Sequence, residues 1–462
     1  MRIYCDSNIF RKAKSTSNQF NKEVYDTMES LRGICLFLFS EAHLDDLSKS
    51  NEYYRNEDLT LMEQYVNNNY ICRDHIYKKI NFLLATPTEA YNSHDFAAQE
   101  NYLKDPVDYI NNLLNTEDNE YLNLIKPLFD IPILDLSEFN IENLPEDLKN
   151  KLGNIKDIKT LSDIIKLLPN FGFSLTDPKA FRNHQKHLAS FIDRDSYSYD
   201  KCLFDFDQKM KETGFQKSFM DLVDMIASGS DKDDLYTNFI NTYVGLETFG
   251  VTEEKTGKKR KVKANSYMDL YHDAAHAFFA SFTDYFITDD KGVQVKSFIT
   301  YKLLGIKTQV LSSKDFIGRA CLLLKNEDDL NSFKLGLKHS LKTGLVVDNY
   351  IFSKRQIVQS LYPFFNYFDR VQVELDEMTI QLFRSRDNRN GIMYAELQLL
   401  IDKCTKAFGS SNEIINRESL TELSKYEKGQ IIRSWGDKSN LIQISWEVNS
   451  FDEEIIVLGL KF

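Results

Sequence analysis

The 462 residues carry a formal net charge of −12, with 42% hydrophobic and 27% charged, which is the balance of a folded chain of two or three domains and not of a disordered one. An acidic chain is a poor general coat for nucleic acid, which is held by phosphate neutralisation, but local basic contacts beside a cation-binding acidic site are not excluded. The opening MRIYCDSNIF has no apolar signal region and no run approaches the roughly 18 apolar residues of a membrane span, so no membrane partner is expected.

RIYC reads as a short apolar strand ending in Asp6, and helix-forming sequence follows to about Leu31. GICLFLFS is a continuous apolar octet, the pattern of a strand buried on both faces of a parallel sheet. The helix pattern EAHLDDLSK comes next, with Ser40 placed as its N-cap. This β-α-β-α alternation predicts an α/β fold built on a parallel sheet. Residues 96–262, in segments such as IKTLSDIIKLL and FMDLVDMIASG, have helical spacing and few strand signals, and read as a helical insertion. Near its end KTGKKRKVK packs six basic residues into nine positions around Gly257; the run can hold a phosphate backbone or be a solvated hairpin.

The α/β pattern resumes with the helix YMDLYHDAAHAFFASF, the strand of DYFITDD, a helix from Lys291, and the strand KTQVL closing in SSKDF. Beyond about residue 326, RVQVELDEMTIQLF, LIQISWEV and EIIVLGLKF alternate apolar and polar around a helix at MYAELQLLIDKCTKAF. They predict a separate α+β domain. The expected organisation is an α/β domain in two pieces (1–95 and 263–325), the insertion (96–262) and the C-terminal domain (326–462). Cys5, Cys35, Cys72, Cys202, Cys321 and Cys404 show no CxxC and no ligand spacing. They read as reduced, mostly buried thiols of a cytoplasmic protein.

Four acids share one local setting. Asp6 ends the first strand, Asp46 lies on the helix after the second, Asp273 opens DAAHAFFA on a helix, and Asp290 follows YFIT. In an open parallel sheet ligands gather beyond the carboxyl ends of the strands, so acids far apart in the chain can converge there. Clustered carboxylates repel unless a cation lies between them. Mg²⁺ or Mn²⁺, hard ions that prefer oxygen ligands, suit such a set and assist phosphodiester hydrolysis. Any one of these acids alone is more often a helix cap or turn residue.

In order, Asp6-Ser7-Asn8, Ser40 to Asp46-Leu47, Asp273-Ala274 to Ala280, and Thr288-Asp289-Asp290 resemble the motifs of the PIN-domain nucleases. The resemblance covers roughly residues 1–90 and 265–320. It implies a PIN-like sheet flanked by helices and a metal-dependent endonuclease acting on single-stranded RNA or DNA, RNA favoured. Asp6, Asp46, Asp273 and Asp290 would be catalytic metal ligands, with Ser7 and Thr288 orienting carboxylates or waters. Two departures stand out: Asp46 occupies a position where the family usually has Glu, with Glu41 as a nearby alternative ligand, and the insertion separates the second acid from the third. Asp289 reads as merely solvated, Asp284 is left open, and His43 and His276 read as hydrogen-bonded surface or core residues. A catalytically inactive PIN-like binding scaffold is the rival. A haloacid-dehalogenase phosphatase is set aside, because position 8 holds Asn8 where that chemistry needs a second Asp. A toxin, a defence effector and a processing enzyme would share this site, and the insertion and C-terminal domain would choose substrate or receive an inhibitory or activating protein partner.

Overall fold

The structure is a computed structural model. It describes residues 1–74, 76–94, 96, 203, 207–208, 218–226, 234–248, 267–324, 329–350, 354–374, 376, 379–384, 394–412, 426–427, 429–437, 440–448 and 454–461. Most of the expected insertion, including IKTLSDIIKLL, and the basic run 255–263 lie outside the described residues, as does Cys202. Contacts divide the chain into two compact units: residues 1–92, 279–289 and 306–462, and residues 93–278 and 290–305.

The strands of the first unit's leading sheet are β1 (Arg2–Cys5), β2 (Leu36–Ser40), β3 (Asn69–Asp74), β4 (Lys79–Leu84), β5 (Tyr285–Ile287) and β6 (Gln309–Leu311), in the order β4-β3-β2-β1-β5-β6. Sequence pieces nearly two hundred residues apart thus form one sheet, because β1 pairs in parallel with both β2 and β5. Every residue of β1, β2 and β5 is buried, which explains their unbroken apolar runs. The sheet is mixed, not purely parallel: β4 runs antiparallel to β3. A short turn joins those two strands, and such a turn permits only a hairpin. The Asp74 carboxylate accepts from the Ile76 and Tyr77 amides, both at 2.9 Å, and Lys78 takes a positive φ of 55°.

The helices are α1 (Ser7–Ala13), α2 (Lys22–Leu31), α3 (Glu41–Ser48), α4 (Glu52–Val66), α5 (Pro87–Ser93), α6 (Phe219–Ile226), α7 (Leu235–Thr248), α8 (Tyr267–Ala280), α9 (Lys291–Leu303), α10 (Ser313–Leu323), α11 (Leu330–Thr343) and α12 (Tyr394–Phe408). Their starts follow capping chemistry. Asn21 accepts from the Glu23 and Val24 amides before α2, Asn51 from the Tyr54 amide before α4, and Ser312 from the Asp315 amide before α10. Ser40 is the N-cap of α3, as expected. Among the described residues no helix is long and apolar enough to cross a membrane.

In the second unit, α7 and α9 meet across a buried ion pair, Lys296 to Glu247 at 2.5 Å. Phe239, Phe278 and Tyr301 pack around them, with Phe239 5.5 Å from Phe278 and 5.9 Å from Tyr301 between ring centroids.

The rest of the first unit holds an antiparallel sheet of β7 (Leu345–Tyr350), β8 (Arg355–Phe364), β9 (Phe368–Glu374), β10 (Thr379–Phe383), β11 (Ile431–Trp435), β12 (Leu441–Val448) and β13 (Glu454–Lys461), ordered β11-β12-β13-β10-β9-β8-β7. Ile444 and Trp446 of β12 face inward at alternate positions, as a sheet with one covered face requires. Phe333 of α11 and Ile401 of α12 share that core with Phe368, Trp435 and Leu458.

A buried charge network ties the two sheets together. Glu396 on α12 accepts from the Arg2 Nε at 2.7 Å, from Arg384 at 3.0 Å and from the Met1 ammonium at 3.1 Å. Arg384 also pairs with Asp284, which in turn accepts the Arg2 amide at 2.7 Å. Burial would push the Glu396 carboxyl up, but the two guanidiniums and the ammonium hold it well below the usual carboxylate range. A depressed carboxyl contributes stability above its unfolded value, near 4.3, and loses it as pH falls toward the folded value. Glu396→Gln leaves two guanidiniums facing a neutral amide, so it should cost on the order of 3–5 kcal/mol at neutral pH. Urea unfolding of both proteins should show that difference at pH 7 and a smaller one below pH 4; an equal difference at both would remove Glu396 as the acid-sensitive tie.

Candidate functional site

The carboxyl end of β1 delivers Asp6. Its amide donates to the Ile287 carbonyl at 2.9 Å, extending the β1–β5 ladder by one residue. The side chain turns back to cap α1, accepting from the Asn8 amide at 3.5 Å. Its second oxygen accepts the Thr288 hydroxyl at 2.8 Å, and Thr288 is itself fully buried beyond β5. Adjacent Ser7 donates its hydroxyl to Asp46 on α3 at 2.7 Å. The first two sequence-predicted acids are therefore held side by side, each by a hydroxyl that the sequence reading had placed beside catalytic carboxylates.

His43 explains how α3 is aimed. Its Nδ1 accepts from the Ser40 amide at 3.1 Å, so the neutral ring carries its proton on Nε2 and donates to the Cys5 carbonyl at 2.8 Å. The ring pins the first turn of α3 to the end of β1, the hydrogen-bonded core role expected of it. Glu41, the alternative second ligand, accepts the Arg73 amide of β3 at 3.1 Å and serves that strand. Asp46, not Glu41, is the acid beside Ser7.

Two neighbouring acids do structural work. Asp284 belongs to the buried network described above. Asp289 is not merely solvated: it pairs with Lys12 and accepts the Ser313 amide at 2.8 Å. Burial would push its carboxyl up, but the Lys12 and Ser313 contacts bring it below the ordinary range. Sequence offered no sign of this, because both partners are remote in the chain.

Asp273 lies half-buried on α8, and Asp290 is exposed at the head of α9, where it accepts the Val293 amide at 3.0 Å. Both act on Tyr243 of α7. Burial raises that phenol well above its ordinary value, and the charges of Asp273, Glu247 and Asp290 raise it further. One turn after Asp273, and so on the same face of α8, comes His276, which is buried. Asp6 and Asp46 both belong to the first unit, and carboxylates held side by side can share a divalent cation.

No family model, no curated protein and no solved structure matches the chain.

An ion that binds only the native Asp6 and Asp46 pair stabilises the fold by about 2.7 kcal/mol at a hundredfold excess over its dissociation constant. Mn²⁺ should therefore raise the melting temperature of the wild type and leave the Asp6→Asn, Asp46→Asn double variant unchanged. Equal shifts in both proteins would place the ion elsewhere.

Proposed function

We propose that the chain is a metal-dependent endonuclease that hydrolyses phosphodiester bonds of single-stranded nucleic acid, RNA favoured, through a PIN-like α/β domain. The observation that carries this reading is at the carboxyl end of β1, where Asp6 accepts the Thr288 hydroxyl while its neighbour Ser7 donates to Asp46. Asp273, midway along α8, and Asp290, the N-cap of α9, are the other two ligands that the motif order assigns.

The donors suit the ion. Carboxylates favour Mg²⁺ and Mn²⁺. When bound, a divalent ion at such a site supplies Lewis acidity and positive charge for phosphodiester hydrolysis. The chain's own contribution is positioning. The Thr288 and Ser7 hydroxyls each donate to one carboxylate oxygen, which restrains the rotamers of Asp6 and Asp46. The ladder bond from Asp6 to Ile287 and the His43 bridge hold the two backbone segments that carry them.

Single-stranded RNA and DNA incubated with Mg²⁺, Mn²⁺ or Zn²⁺, and with chelator, test the reading. Asp6→Asn, Asp273→Asn and Asp290→Asn should each reduce metal-dependent cleavage to background, and Ser7→Ala or Thr288→Val should lower it about 10–100-fold. Cleavage that survives chelator, or near wild-type turnover in any of the three Asn variants, would overturn it. Metal binding without cleavage of either substrate would favour the inactive scaffold.

A further inference from the structure

The helix that begins at the acidic site ends at a cavity. Ala13 and Lys14 close α1, and a space of about 570 Å³ opens there between α1, α2 and α4, within the roughly 300–1,000 Å³ of ligand pockets. Two tyrosines line it, Tyr25 of α2 and the exposed Tyr53 of α4. Asn56, Thr60 and Gln64 lie along α4 at i, i+4 and i+8, so they share one face and set a neutral hydrogen-bonding row beside the rings.

The charges in this pocket decide what it can hold. Lys14 is its cation, and that ammonium is already taken by Glu57 at 2.9 Å and Asp58 at 2.6 Å. A phosphate would meet two carboxylates and no available cation. A flat neutral ring meets aromatic faces and amide edges. Aromatic side chains are the usual platform for unstacked bases, and Asn and Gln amides match base edges.

Distance fits as well. The seven residues of α1 span about 10 Å at 1.5 Å per residue, equal to about three stacked nucleotides along a strand. We propose that the cavity between α1, α2 and α4 is a nucleobase subsite, where an unpaired base stacks on Tyr25 and Tyr53 while its phosphates pass outside toward Asp6 and Asp46. The assignment rests on the nuclease reading of that pair, and it makes single-strandedness a requirement, since a paired base cannot enter.

Fluorescence anisotropy on the full chain in chelator, with labelled single-stranded RNA and DNA, tests binding apart from cleavage. Each oligonucleotide is matched by an abasic one with the same phosphates. The wild type should bind the base-bearing strands more tightly than the abasic ones. The Tyr25→Ala, Tyr53→Ala variant should lose about tenfold or more on the base-bearing strands and little on the abasic ones, while Tyr25→Phe, Tyr53→Phe keeps wild-type affinity. The RNA and DNA arms show whether the sugar matters beyond the base. Equal wild-type affinity for base-bearing and abasic strands, no binding of either, or an alanine variant that binds like the wild type would overturn the subsite. Base-dependent binding without cleavage in any metal would leave the subsite standing and remove the nuclease.

Discussion

β1 has four residues, all buried, and it pairs with a neighbour on each side. Its two ends meet opposite demands. At the amino end, Arg2 is buried and needs an acid, which Glu396 supplies from α12. At the carboxyl end, Asp6 is nearly buried and faces Thr288, a hydroxyl with no formal charge. A buried charge is costly unless paired or hydrogen-bonded. The first end is neutralised within the chain, and the second is only hydrogen-bonded, so the strand carries fixed structure at one end and leaves negative charge at the other.

The neutralised end sets how much the other can tolerate. Breaking one partner of a buried ionic group is strongly destabilising, whereas the intact group adds little over a well-packed apolar one. The Arg2, Glu396, Arg384 and Asp284 network therefore acts chiefly by fixing where the antiparallel sheet meets the amino end of β1 and the entry to β5. Asp284 links both, accepting the Arg2 amide one residue before β5 begins. With β1 and β5 held in register at that end, the Asp6 amide and the Ile287 carbonyl meet at the other, and Thr288 falls within reach of the Asp6 carboxylate.

How legible this was depended on whether a feature was local. The apolar octet became β2, the motif segments became β1, β5, α3 and α8, and the alternating C-terminal stretches became β9, β10, β12 and β13, since burial on one or both faces writes its own period into sequence. β4 left no such mark because it is a half-exposed edge strand, and its hairpin made the sheet mixed. β3, β7, β8, β11, α4 and α11 were also missed; β8 alternates poorly and carries a register shift between Gln359 and Phe364. The hydroxyls of Ser7 and Thr288 could be named from their neighbours, but the engagement of Asp289 by Lys12 and of Glu396 by Arg2 joins residues hundreds of positions apart, which no local pattern records.

A buried histidine can serve structure alone. His43 is buried, and both its ring nitrogens are committed, one accepting from the Ser40 amide and one donating to the Cys5 carbonyl, so it cannot bind an ion without releasing the start of α3. The carboxylates that this helix start helps to position meet a different constraint. Asp6 and Asp46 are each held by a hydroxyl, and hydroxyl donors weaken the repulsion between neighbouring carboxylates without cancelling it. A hard divalent cation would supply the balance, since it prefers oxygen ligands and brings the charge that the hydroxyls lack.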